Sequence, residues 1–118
     1  MAQKDDFEAK IAAIRSSYLL DSVPEQIQSI HDGFNEFMAA DKSTNVLDAL
    51  APLHAASHKF AGSSGTFGLA DASGAARVLS EFTDQGGPVN EDNYEQYIDE
   101  IRFMVEAVQQ AVNDADIQ

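Results

Sequence analysis

The run Asn90-Glu91-Asp92-Asn93-Tyr94-Glu95-Gln96-Tyr97-Ile98-Asp99-Glu100-Ile101-Arg102-Phe103-Met104-Val105-Glu106-Ala107-Val108-Gln109-Gln110-Ala111-Val112 decides the fold class. Tyr94, Ile98, Ile101, Val105, Val108 and Val112 recur at steps of four and three. That spacing lines them along one side of an α-helix, with the charged residues on the other side. Asn90 stands where an N-cap is needed, and Glu91, Asp92 and Glu95 sit near the positive end of the helix dipole. A helix with a single apolar stripe needs further helices to cover it, which is the requirement of an antiparallel bundle.

Working outward, the same rhythm fills the rest of the chain. Gln85-Gly86-Gly87-Pro88 is a break before the last helix. A shorter helix is predicted over about Ala70 to Thr83, and another over about Asn45 to Ser64, ended by Gly65 and Gly68. Asp41-Lys42-Ser43-Thr44 reads as a connector that carries an N-cap. Leu20, Val23, Ile27, Ile30, Phe34 and Phe37 mark a helix from about Val23 to Ala40. Phe7, Ile11, Ile14 and Tyr18 mark a short first helix ending near Leu20. Pro24 separates the two, and Ser22 with Glu25 has the pattern of a capping box around it. No strand alternation of useful length is present. The expected fold is all-α: an antiparallel up-down four-helix bundle with an additional short N-terminal helix packed over one end. The chain reads as one domain, residues 1–118, with its core bundle over about 22–113, and as a monomer. Residues 114–118 are expected to fray.

Composition narrows the function. Seven Lys plus Arg against 20 Asp plus Glu give the 118-residue chain a net charge of −13. Such a chain is unsuited to holding a phosphate backbone or an anionic membrane surface, so neither nucleic acid nor membrane is an expected partner. With no cysteine there is no disulfide and no thiolate metal site. Met1-Ala2-Gln3-Lys4-Asp5-Asp6 lacks the order of a signal peptide, and no apolar run approaches a membrane span, so a cytoplasmic location is expected. The charge is uneven. Residues 1–42 carry net −4, residues 80–118 net −9, and residues 43–79 net zero, from Asp48, Lys59, Asp71 and Arg77 alone. A neutral segment in an acidic chain is either buried or kept clear for a partner. Arg77 reads as the salt-bridge partner of a nearby acid.

The neutral segment holds Leu53-His54-Ala55-Ala56-Ser57-His58-Lys59-Phe60-Ala61-Gly62-Ser63-Ser64-Gly65-Thr66-Phe67-Gly68. At 100° per residue, Val46, Leu50, Leu53, Ser57, Phe60 and Ser64 fall within roughly 40° of one line, which is the core stripe. His58 lies about 120° from it, on the flank. Its helical neighbours are His54, Ala55, Ala61, Gly62 and Gly65, all tiny apart from His54. A histidine so placed projects above its surroundings. Glycine inside a helix costs about 1 kcal/mol relative to alanine, so Gly62 has a reason to be there. Either a neighbouring helix packs closely against it, or something approaches the space beside His58.

The stretch from His58 to Gly68 resembles the signature of histidine-containing phosphotransfer (HPt) domains. In that pattern Phe60 holds the first apolar place, Gly62 the first glycine, Ser63 and Ser64 the small pair, Phe67 the later apolar place and Gly68 the last glycine. Ala61 stands where the family often has Lys, and Lys59 is the nearest substitute in sequence. The motif spans about eleven residues, and the helix order extends the likeness less specifically over most of the chain. The resemblance implies that His58 accepts a phosphoryl group from an aspartyl phosphate on a receiver domain and passes it to another receiver. It places Lys59, Ala61, Gly62 and Gly65 beside the phosphoryl group. It makes response-regulator receivers and a hybrid sensor histidine kinase the partners. No cofactor is expected on this chain; Mg²⁺ and the catalytic groups would come with the receiver, so the protein is not an enzyme in its own right. Imidazole titrates near neutrality and needs no general base to act as a nucleophile at pH 7.

Other readings of the same residues compete. His54 and His58 stand four apart, a spacing found in metal sites, but no Glu follows in the H-E-x-x-H manner and a third ligand would have to come from elsewhere. Gly62-Ser63-Ser64-Gly65 fails the nucleophile-elbow frame because Thr66 follows, and it fails as a phosphate loop for want of Gly-Lys-Ser/Thr. A non-catalytic helical module that binds receivers or kinases without carrying phosphate remains the alternative function.

Overall fold

In a computed structural model, which describes residues 2–40, 46–85 and 94–115, every regular element is helical. The elements are α1 (Ala2–Ser17), a π-helical turn (Tyr18–Ser22), α2 (Val23–Ala39), α3 (Val46–Thr66), α4 (Ala70–Gln85) and α5 (Tyr94–Asp114). Helices α2 to α5 each pack on the next, and α2 also meets α5, which closes the four into an up-down bundle. The predicted connector over 41–44, the break over 86–88 and the Asn90 cap fall outside the described residues.

The start of the chain differs from expectation. Instead of a separate short helix over one end of the bundle, α1 runs on through the π turn into α2 without a break. Pro24 explains the π turn. It has no N–H for the carbonyl of Leu20, and its ring would clash with that carbonyl in a regular α-helix. The chain widens by one residue instead, and the Val23 N–H donates to the Tyr18 carbonyl, five residues back. Ser22 therefore keeps helical dihedrals (φ −83°, ψ −38°) and makes no capping bond, so the capping box with Glu25 does not form. The wide turn also buries two successive residues, Tyr18 and Leu19. Among the described residues α1 packs on no other helix of the bundle. Phe7, Ile11 and Ile14 remain exposed, and the molecule is 64 Å long against 23 and 19 Å across.

Apart from Leu20, which lies in the π turn and is exposed, the bundle core follows the predicted stripes. On α3, Leu50, Leu53, Ser57, Phe60 and Ser64 are fully buried. On α5, Ile98, Ile101, Val105, Val108 and Val112 are buried, and α2 contributes Ile27, Ile30, Phe34 and Phe37. Each large apolar side chain so placed contributes about 1.5–3 kcal/mol relative to exposure. The two buried serines of α3 return their hydroxyls to their own helix, Ser57 to the His54 carbonyl and Ser64 to the Phe60 carbonyl, so neither is left without a partner.

Two glycines set the geometry around α3. A Cβ on Gly33 would lie 2.8 Å from both Cα and N of Leu53. The bare backbone of α2 at Gly33 thus lets α3 approach where Pro52, inside the helix, leads into Leu53. At the other end, Gly68 adopts φ +86°, while the Leu69 N–H bonds the Ser64 carbonyl at 2.8 Å and the Gly68 N–H the Gly65 carbonyl at 3.2 Å. That is a Schellman cap, and it ends α3 two residues beyond the predicted Ser64, with Gly65 inside the helix. Leu69 is buried directly after it, and α4 begins at once.

Candidate functional site

His58 is exposed on the flank of α3 that faces α4. It opens onto a groove of about 500 Å³ between the two helices. From α3 the groove is lined by His54, His58, Ala61 and Gly62, which recur at helical spacing. From α4 it is lined by Arg77, Ser80, Glu81 and Asp84, which do the same.

The groove has a fixed floor. His54 Nδ1 lies 2.9 Å from the Ser80 carbonyl oxygen and 3.2 Å from Thr83 Oγ1. A carbonyl only accepts, so the Nδ1–H donates to it and the ring orientation is set. The opposite nitrogen, Nε2, lies 3.9 Å from the Asp84 carboxylate. The rings of His54 and His58 stack nearly parallel, with centroids 6.0 Å apart and 20° between their planes. His58 therefore rests one helical turn above an anchored ring.

Space beside His58 is open. Beyond its own turn of helix, a Cβ on Gly62 would meet no atom within 4 Å. Of the two reasons for that glycine, close packing is thus removed and clearance beside the histidine remains. Gly65 is different: its Cβ would come 3.0 Å from Ser73 Oγ of α4, so Gly65 belongs to the packing of α3 on α4. Ser73 fixes that contact by donating to the Ala61 carbonyl at 2.7 Å.

The remaining motif residues hold the helix in place. Ser63 faces α2, where it donates to Gln26 Oε1 at 2.7 Å and stands 2.9 Å from the Tyr18 hydroxyl. Burial raises the Tyr18 pKa, and the bond to Ser63 acts in the opposite direction. The Tyr18 ring stacks on Phe67 with centroids 4.3 Å apart, and Arg15 Nε–H donates to the Phe67 carbonyl at 3.1 Å. Phe60 is in the core. Lys59 lies on the other flank of α3, lining a small groove against α2 with Ser22, Glu25, Gln26, Ser29 and Ala56.

The α4 side of the groove escapes a reading by sequence alone. Arg77 forms no salt bridge among the described residues, unlike the surface pair expected for it. Arg77, Ser80 and Glu81 share one face of the predicted fourth helix, with Asp84 just past its predicted end, and that periodicity is the available signal. Among the described residues no group of three or more His, Asp or Glu side chains is placed to hold a metal ion.

The family model described as the Hpt domain matches residues 16–114. Comparison with curated proteins and with solved structures returned no match. The matched range begins two residues before Tyr18, so it takes in the π turn and the bundle and leaves most of α1 outside.

Proposed function

The chain belongs to the family of Hpt domains, whose members are phosphotransfer modules of two-component signalling, and from that premise we propose that this protein is a phosphorelay intermediate with His58 as its phosphoacceptor. The observation that carries the assignment is the exposed His58 ring beside the unfilled space at Gly62. This open space is where a receiver domain would bring its aspartyl phosphate.

In the transfer, a lone pair on a ring nitrogen of His58 attacks phosphorus. The N–P bond forms as the P–O bond to the aspartate breaks, and the bonding pair leaves with the carboxylate. The ring keeps its proton on the other nitrogen, and attack by the aspartate of a second receiver reverses the events. Positioning and charge stabilisation account for the chemistry, and neither needs a general base on this chain. The acidic pocket and its divalent cation belong to the receiver. A hybrid sensor kinase is the source of the phosphate. Lys59, on the neighbouring flank, adds positive charge to the face that meets the receiver. No described helix is long and apolar enough to cross a membrane. The proposed relay operates in the cytoplasm.

The test is transfer from a phosphorylated receiver, read as acid-labile, base-stable phosphate on this chain. The reading expects label on the wild type and none on His58→Gln, with helicity and melting unchanged. Label that persists in the variant would overturn the assignment to His58, and a chain that binds receivers without ever taking label would be a non-catalytic module.

A further inference from the structure

We propose that Arg77 of α4 is the residue that binds the phosphoryl group on His58, supplying from the facing helix the positive charge that Ala61 lacks. The proposal rests on the phosphotransfer reading of His58.

The register across the groove places Arg77. His54 of α3 bonds to Ser80 of α4, and Ala61 of α3 bonds to Ser73 of α4. The two helices run antiparallel, so the residues between these contacts pair in reverse order. Counting inward from either contact sets Ala76 level with His58, with Arg77 the next residue along α4. Ala76 is fully buried and Arg77 exposed, so Arg77 is the one that faces the groove beside the histidine.

Charge makes a cation there necessary. Glu81 and Asp84 line the same groove, and among the described residues Arg77 is the only Lys or Arg that lines it. A phosphoryl group brings a charge of about −1.5 to −2 to a place already holding two carboxylates. Without Arg77 the product would be set against like charge alone. Lys59 is on the other flank of α3, in the groove against α2, and Ala61 has no charge to offer. Arg77 is also free to move, since no carboxylate holds it in a salt bridge among the described residues. A guanidinium fork matches two phosphoryl oxygens at once, which an ammonium does not.

The experiment phosphorylates the full chain two ways: with a phosphorylated receiver, and with phosphoramidate, a small donor that loses ammonia as the N–P bond to His58 forms. Phosphoramidate needs no docking surface, so it reads the contact to the phosphoryl group itself. Arg77→Ala is expected to lower the rate with both donors by about ten- to a hundredfold, the range of a charge-assisted hydrogen bond. It is also expected to shorten the lifetime of the phosphohistidine and to move its ³¹P resonance, while Arg77→Lys recovers part of the loss. Melting should not change, because the side chain is exposed. An Arg77→Ala protein that keeps wild-type rate, lifetime and resonance with phosphoramidate overturns the proposal, even if receiver transfer slows, since Arg77 would then serve docking alone. If the wild type takes label from neither donor, it is the reading of His58 that fails.

Discussion

Replacing Gly62 by alanine should stabilise the protein and impair its function at the same time. In α3 the change adds helix propensity worth about 0.5–1 kcal/mol. Nothing offsets that gain, because beyond its own turn of helix the new methyl meets no atom within 4 Å. Unfolding entropy of about 2.1 cal/mol/K per residue converts 1 kcal/mol into a rise of about 4 °C in Tm for a domain of this length. In an α-helix each Cα–Cβ bond tilts toward the N-terminus, so a methyl at 62 leans over His58, one turn earlier. It would occupy the clearance that an incoming phosphoryl group and its receiver need. A displacement of about 1 Å in the reacting geometry costs up to about 100-fold in rate, and a loss of at least about tenfold is expected here. The assays are thermal melting by circular dichroism and the rate of phosphate transfer from a receiver. Gly33→Ala is the control. Its methyl would lie 2.8 Å from the backbone of Leu53, which cannot yield as a side chain can. Overpacking of about 1–3 kcal/mol should lower Tm, with transfer by the folded protein retained. A Gly62→Ala protein that melts lower would mean that its space is not open, and one that is more stable and transfers at the wild-type rate would mean that the space is not used.

Three further outcomes follow from the same structure. Tyr97 is buried between Phe37 and Phe82, and its hydroxyl has no hydrogen-bond partner among the described residues. Burial raises its pKa, with the nearby Glu100 carboxylate adding to the effect, and burial raises that of Tyr18 too. A phenol whose folded pKa exceeds the unfolded value of about 10 contributes stability that is present below that pH and is lost as pH rises toward the folded value. Stability should therefore fall above about pH 10, and a Tyr18→Phe, Tyr97→Phe double variant should lose less of it over that range in urea titrations. At neutral pH, Tyr97→Phe should be neutral or stabilising, while Tyr18→Phe should cost about 0.5–1.5 kcal/mol through its bond to Ser63. Lys59→Glu should slow transfer from a receiver in a salt-dependent manner and leave phosphorylation by phosphoramidate unchanged, because Lys59 sits outside the His58 groove.

The bundle was legible because one kind of signal, the four-three spacing, both makes a helix and names its buried side. Leu50, Leu53, Ser57, Phe60 and Ser64 occupy the core of α3 as that spacing requires. The junction before α2 was not legible, since Pro24 signals a helix start and a tolerated interruption with the same residue. The bond from the Val23 N–H to the Tyr18 carbonyl, with Tyr18 and Leu19 both buried, distinguishes the π turn. Gly33 stood unexplained in its helix, because its reason is the backbone of α3, twenty residues further on.

The site divides along the same line. The flank position of His58 follows from local spacing on a single helix, whereas the choice between close packing and clearance at Gly62 is decided only by the fold. The groove is not local either, since it depends on the register of α3 against α4. That register also changes the meaning of the charge pattern. Residues 43–79 are neutral as a stretch of sequence, but folding brings Glu81 and Asp84 up beside them. The neighbourhood of His58 is therefore not a neutral window. It is an acidic groove with one arginine in it, and Arg77 changes from a surface ion-pair partner into the cation of the site.

The most direct measurement is the chemistry of His58 itself. Wild-type protein and His58→Gln are each incubated with a phosphorylated receiver domain, and the transferred phosphate is tested for lability in acid and base. Acid-labile, base-stable phosphate on the wild type and none on an equally stable His58→Gln protein is the predicted result. Label that survives in His58→Gln, or a wild type that takes no label from any receiver, would contradict the account.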